Sequence, residues 1–145
     1  MPDNLLEELT STARINPEDY AAQISPNRRK SLGYALAGWL YMLRRQKNTR
    51  IMSFASILVM SLALWLRISR LELAILILTL TIVWLAEFLN AGIEAAVDLA
   101  SPNLHPMAKV AKDVASAAVL LGVLASILIG LLLLAPPLLH KFHPI

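Results

Sequence analysis

Residues 71–99 read LELAILILTLTIVWLAEFLNAGIEAAVDL. After Glu72 the first half is apolar without a break, and the second half sets Glu87, Asn90, Glu94 and Asp98 among residues that are almost wholly apolar. The stretch exceeds the ~20 residues a helix needs to cross a hydrocarbon layer. At about 100° per residue, steps of three, four and four place the four polar side chains within an arc of roughly 80°. One acidic stripe therefore runs along a helix that otherwise belongs in lipid. Each charge at bilayer depth costs at least about 2.5 kcal/mol on insertion scales. The stripe needs a partner: a cation, a water-filled cleft or a neighbouring subunit.

Two further apolar runs flank this one, at 51–66 and 114–139. Arg50 and Arg67 can snorkel at the ends of the first, which is short for a span, and the last contains no charged residue. Across all 145 residues, 57% are hydrophobic and 16% charged. A soluble domain carries about 25% charged residues, so the balance makes lipid part of the solvent. Membrane helices are expected at about 51–67, 71–100 and 106–136. Upstream, Leu32, Leu36, Trp39, Leu40 and Leu43 recur at helical spacing, with Arg28, Arg29 and Lys30 at one end and Arg44, Arg45 and Lys47 at the other. This pattern, over about 28–47, suits an amphipathic helix lying in the headgroup region; a soluble helix packed on a partner shows the same pattern. Residues 1–27 form an acidic extension with Pro17 and Pro26 as breakers, ahead of a single membrane domain, 28–145. The opening MPDNLLEELT has no basic stretch followed by an apolar run, so the membrane segments are expected to target themselves.

Seven Lys/Arg lie between Arg28 and Arg50, two in the first loop (Arg67, Arg70), and Lys109 and Lys112 follow the second span. The excess of positive charge places the amino terminus and the 99–113 loop in the cytoplasm, so the polar half of the second span opens toward cytosolic metabolites. The absence of cysteine excludes disulfides, zinc–thiolate and iron–sulfur sites and thiol nucleophiles. No Gly-rich phosphate loop, HExxH or GxSxG motif is present. His105, His140 and His143 are too scattered for a metal site.

After the second span, Ser101-Pro102 ends the helix and His105-Pro106 starts the next. Lys109, Lys112, Asp113 and Ser116 follow. Lys109 and Asp113 can meet at a spacing of four, and an antiparallel connection brings this turn beside Glu94 and Asp98. Carboxylates beside lysines at a membrane surface suit a divalent cation and the phosphates it neutralises. Spacing alone leaves other readings open: acids and lysines that lock helices together, Asn90 as interhelical glue, or a proton or cation path.

Glu87-x-x-Asn90-x-x-x-Glu94-Ala-x-Val-Asp98, then Ser101-Pro102, His105-Pro106, Ala108-Lys109, Ala111-Lys112-Asp113 and Ala117-Ala118-Val119, resembles the prokaryotic-type diacylglycerol kinase family, which includes the undecaprenol kinases. The resemblance covers about 28–135, with Gly33-Tyr34, Gly38, Asn48 and Arg50 toward its start. It implies an all-α integral membrane protein: three transmembrane helices per subunit plus an amino-terminal surface helix, assembled as a homotrimer in the plasma (inner) membrane with composite sites near the cytoplasmic face. It also implies transfer of phosphate from ATP to a lipid hydroxyl with Mg2+ as cofactor, and no nucleic-acid partner. On that resemblance Glu87 is the general base, and an alcohol, being a poor nucleophile, needs one. Glu94 and the position of Gln46 would hold magnesium. Tyr34, Gln46, Glu94, Asn103, His105, Lys112 and Asp113 would contact ATP, while Asn90, Asp98 and Ser116 would position phosphate or substrate.

The chain departs from the family pattern in places. Gln46 stands where a metal-binding Glu is frequent; an amide oxygen still ligates magnesium but brings no charge, so weaker metal binding is expected. Thr49 replaces a frequent aromatic, Met52 a polar residue, and Ala91-Gly92 a small-polar pair. The Ser101-Pro102-x-x-His105-Pro106 loop is similar to undecaprenol kinases, whereas Ser116-Ala117-Ala118-Val119 is similar to diacylglycerol kinases. Substrate choice stays open between the two lipids.

Overall fold

The computed structural model describes residues 28–101 and 105–142. The extension 1–27, Asn103 and His143 lie outside the described residues. Four helices are present: α1 (Arg28–Arg45), α2 (Lys47–Leu66), α3 (Arg70–Ala100) and α4 (Pro106–Phe142). There is no strand among the described residues. Contacts divide the chain into a unit ending at Leu40 and a second running from Tyr41 to Ile145. The first unit contributes the greater part of α1, an 18-residue helix with Arg44 and Arg45 in its last turn, where cations meet the negative end of the helix dipole.

In the second unit α2, α3 and α4 are each long and apolar enough to cross a membrane. In lipid every backbone donor and acceptor must be met internally, and continuous helices do this. Few side chains are buried within the chain, and large apolar residues such as Phe54, Leu71, Leu99, Leu121 and Leu132 stand on the surface. In a bilayer that surface faces hydrocarbon, so exposure there carries no hydrophobic penalty. The fold is an all-α membrane protein.

Helix ends differ from expectation in three places. α2 starts at Lys47, four residues earlier than the apolar run, because extended Gln46 (φ −95°, ψ 117°) breaks the chain between α1 and α2, and polar residues then fill the first turn. α1 stops at Arg45 for the same reason. α4 continues through Pro136 and Pro137 to Phe142, beyond the expected end at 136. A proline removes its own donor and crowds the preceding turn, yet leaves later residues free to bond in sequence.

The α2–α3 turn is built by local chemistry. Arg67 adopts the left-handed conformation (φ 55°, ψ 44°) and returns its N–H to the carbonyls of Ala63 and Leu64, closing orphan acceptors at the helix end. Ser69 and Glu72 form a reciprocal capping box: Ser69 N–H donates to Glu72 Oε2 at 2.7 Å, and Glu72 N–H to Ser69 Oγ at 3.3 Å. Beneath the turn, Ala63, Leu76 and Leu134 are buried together, with Val59, Leu62, Leu66, Ile68 and Leu133 against them. Lys141, near the end of α4, places its ammonium 3.8 Å from the centroid of the Trp65 ring and donates to the Trp65 carbonyl at 3.3 Å. The three helices are thus fastened at the end far from the acidic stripe. Ser69→Ala should lower stability by about 1 kcal/mol, read as an earlier unfolding midpoint in detergent micelles; an unchanged midpoint would show that the turn does not depend on its cap.

Candidate active site

Between α2, α3 and α4 runs an open groove of about 650 Å³. Its wall follows the helical repeat: Asn48, Met52, Ser56 and Val59 on α2, Thr79, Val83, Trp84 and Glu87 on α3, and Val119, Val123, Ser126 and Gly130 on α4. The lining is overwhelmingly apolar, the right surface for a hydrocarbon chain. Polar groups gather at one end, where Glu87 and Asn48 face it.

Glu87 is only 3% exposed. It sits 13 residues before the end of α3, roughly 20 Å along the helix axis. The side-chain amide of Asn48, in the first turn of α2, lies within hydrogen-bonding reach of its carboxylate. One turn earlier on α3, Trp84 Nε1–H donates to Ser56 Oγ at 3.1 Å, and the Trp84 ring packs against Phe88 with centroids 6.1 Å apart.

From Glu87 the stripe grades toward solvent. Asn90 and Glu94 are half-buried and Asp98 is exposed. Asn90 Nδ2 donates to Glu94 Oε1 at 3.1 Å, while Ser116 Oγ on α4 donates to Asn90 Oδ1 over a long 3.4 Å. Lys112 on α4 pairs with Asp98 on α3, and Lys109 pairs with Asp113 one turn along its own helix at 2.5 Å. α4 therefore delivers Lys112 and Ser116 to the stripe, whereas Asp113 is turned to Lys109.

The remaining expected site residues fall elsewhere. His105 caps α4: its Nδ1 accepts the Met107 N–H at 3.2 Å. Gln46 occupies the N-cap of α2 without a side-chain cap hydrogen bond, so its amide is uncommitted there. Tyr34 is exposed on α1 within the first unit. Asn103 is outside the described residues.

A family profile described as prokaryotic diacylglycerol kinase matches residues 33–134. A diacylglycerol kinase from Synechocystis sp. is 41% identical over 120 residues, covering 82% of this chain and 69% of that protein. A diacylglycerol kinase from Pseudomonas aeruginosa is 35% identical over 105 residues (72% and 85% covered), and an undecaprenol kinase from Bacillus subtilis 34% over 109 (75% and 89%). The chain belongs to the prokaryotic diacylglycerol kinase family. As a member of that family it is a lipid kinase, carried in the membrane by several spans.

The apolar wall of the groove was the part of the candidate site that the sequence did not announce. Asn48, Met52 and Ser56 recur every four residues, but a lone serine in an apolar run usually bonds its own backbone and so does not mark a wall. Ser69-x-x-Glu72, by contrast, was a visible cap signature. The Asp98–Lys112 pair is partly solvated, with the two side chains 67% and 37% exposed, so screening limits its worth to about 1 kcal/mol at most. Exchanging the charges, Asp98→Lys with Lys112→Asp, should recover a few tenths to about 1 kcal/mol of stability relative to the single variants in a double-mutant cycle. A coupling of zero would mean that the pair does not hold α3 to α4.

Proposed function

We propose that this chain transfers the γ-phosphoryl group of Mg-ATP to the hydroxyl of a membrane lipid alcohol, with Glu87 as the general base. The observation that carries the proposal is a carboxylate buried in a membrane helix that still opens onto an apolar groove. A lipid chain lying in that groove brings its head toward Glu87, while the graded stripe from Asn90 to Asp98 leads outward to the charged pair on α4. Lipid and nucleotide approach from opposite ends of one polar track.

The donor set fits magnesium. Among the described residues no three His, Asp or Glu side chains converge on one point as an all-protein cage. Mg2+ rarely uses one; it keeps several waters and binds through one or two carboxylates plus substrate phosphates. Glu94, whose Oε1 is engaged by Asn90, supplies such a carboxylate. Gln46, whose amide caps nothing, supplies a neutral oxygen. When bound, the ion neutralises charge on the phosphates.

The chain's own residues then do the rest. Glu87 accepts the proton of the lipid hydroxyl as the alcohol oxygen bonds to the γ-phosphorus; the bond from that phosphorus to the β–γ bridging oxygen breaks, and ADP leaves. Asn48 holds the Glu87 carboxylate in one orientation. Asn90, fixed between Ser116 and Glu94, points an amide along the path of the phosphoryl group. Lys112 exchanges Asp98 for phosphate oxygens, and in the same reading Tyr34, Asn103, His105 and Asp113 belong to the nucleotide end. A homotrimer, α1 lying on the membrane surface, and a cytoplasmic site in the plasma membrane complete the proposal. The charge excess around α1 and in the first two turns of α4 supports that orientation.

Glu87→Gln should lower phosphate transfer from Mg-ATP to lipid in mixed micelles by about 10²–10⁴-fold while leaving the assembled protein intact on size-exclusion chromatography. Full activity in that variant would remove Glu87 from the chemistry. Gln46→Glu should lower the magnesium concentration giving half-maximal rate, because it adds a charged oxygen; an unchanged requirement would place Gln46 away from the ion.

A further inference from the structure

Of the span hydroxyls that do not bond their own backbone, Thr49 is fully buried without a side-chain partner among the described residues and lies away from the groove, whereas Ser56 lines it. Ser53, Thr79, Thr81 and Ser126 each donate to a backbone carbonyl one turn back, at 2.7–2.8 Å, the ordinary fate of a hydroxyl in an apolar helix. Ser56 makes no such bond. Its oxygen instead accepts from Trp84 Nε1–H at 3.1 Å, and among the described residues nothing takes its proton. Both Ser56 and Trp84 line the groove. An unmet donor in such surroundings costs about 1–3 kcal/mol, and an oxygen that already accepts is the stronger donor for it. The hydroxyl is presented to whatever fills the groove.

Its distance from Glu87 is informative. Asn48 marks the level of the Glu87 carboxylate on α2, and Ser56 lies eight residues further along, about 12 Å of rise. Side chains lean toward the start of their helix, so on these antiparallel helices Glu87 and Ser56 lean toward one another and shorten the gap. A hydrogen bond of about 3 Å at each end leaves roughly 6 Å or less for the lipid atoms between them. In a diacylglycerol the ester carbonyl oxygens lie a few bonds from the free hydroxyl, within that span. A polyprenol carries a single hydroxyl and otherwise only hydrocarbon, and would leave the Ser56 proton unmet.

We propose that Ser56, held in place by Trp84, is a specificity-determining residue that donates a hydrogen bond to an ester carbonyl of the lipid, making this chain a kinase for an ester-bearing glycerolipid rather than a polyprenol. The inference rests on the reading of Glu87 as the base. Its test compares kcat/KM, in mixed micelles with Mg-ATP, for a diacylglycerol, the dialkylglycerol of equal chain length (an ether that lacks both carbonyls) and a polyprenol. The wild-type chain should prefer diacyl over dialkyl by about 3- to 10-fold, the worth of one hydrogen bond, and use the polyprenol least. Ser56→Ala should bring the diacyl-to-dialkyl ratio close to one, Ser56→Thr should keep it, and Trp84→Phe should reduce it by freeing the hydroxyl to turn to the backbone. The ratio is independent of how much protein folds. An unchanged ratio in Ser56→Ala overturns the inference, as does an equal loss on all three lipids, which would place Ser56 under a neighbouring subunit's helix. A polyprenol preferred by the wild type overturns it too. A wild-type chain that phosphorylates none of the three sinks the kinase proposal itself.

Discussion

A carboxylate buried within a membrane helix is the constraint around which the rest of this chain is arranged. Glu87 lies about 20 Å from the end of α3, where an unpartnered charge costs at least about 2.5 kcal/mol. Two features make the position tolerable. The Asn48 amide comes within hydrogen-bonding reach from α2, and the side chain looks into a groove instead of into packed hydrocarbon. Both require that α2 and α3 be antiparallel neighbours in one register. That register is set at the other end, by the left-handed Arg67, the Ser69–Glu72 box and the small Ala63 buried against Leu76 and Leu134. A turn far from the acids thus decides what Glu87 faces.

The stripe beyond Glu87 is graded in burial, and the grading has a physical reason. Half-buried Asn90 and Glu94 satisfy one another and Ser116, while exposed Asp98 pairs with Lys112 where water screens both. Neutral or mutually bonded groups occupy the drier levels, and full ion pairs appear only near the rim. For a lipid kinase this gradient gives an apolar substrate a continuous path from dry to wet surroundings along a single helix.

How far all this was legible in the sequence depended on whether the relevant signal was periodic along one helix. The three spans and the four-residue acidic arc followed from composition and angle alone, and the α2–α3 cap was written in Ser69-x-x-Glu72, although it went unread. The groove was harder. Serines and threonines in apolar helices usually bond back to their own backbone, as Ser53, Thr79 and Thr81 do, so Ser56 carried no mark until Trp84 was found across from it. The clasp of Lys141 on Trp65 joins residues 76 apart, with nothing local to announce it. α4 ran past Pro136 and Pro137 because two missing donors near a helix end cost less than abandoning its last turns would, a balance that residue type alone does not report.

The same reasoning bears on how the helices are covered. α4 is 37 residues long, yet Ala115 and Leu134 are its only buried residues among those described. In water such a helix would collapse onto a partner; in a bilayer the hydrophobic effect gives no such push, since acyl chains are as apolar as leucine. Packing and polar contacts hold α4 to the bundle: Gly122 lies close against Val83 of α3 at mid-helix, and among the described residues the polar and aromatic ties sit toward the two ends, Lys112 and Ser116 at the acidic rim and Lys141 and Phe142 on Trp65 at the other. Between these ties, among the described residues, no side-chain hydrogen bond from α4 crosses to another helix. The open apolar groove beside α4 therefore comes from the spacing of α2 against the α3–α4 pair, not from a loss of contact between α3 and α4.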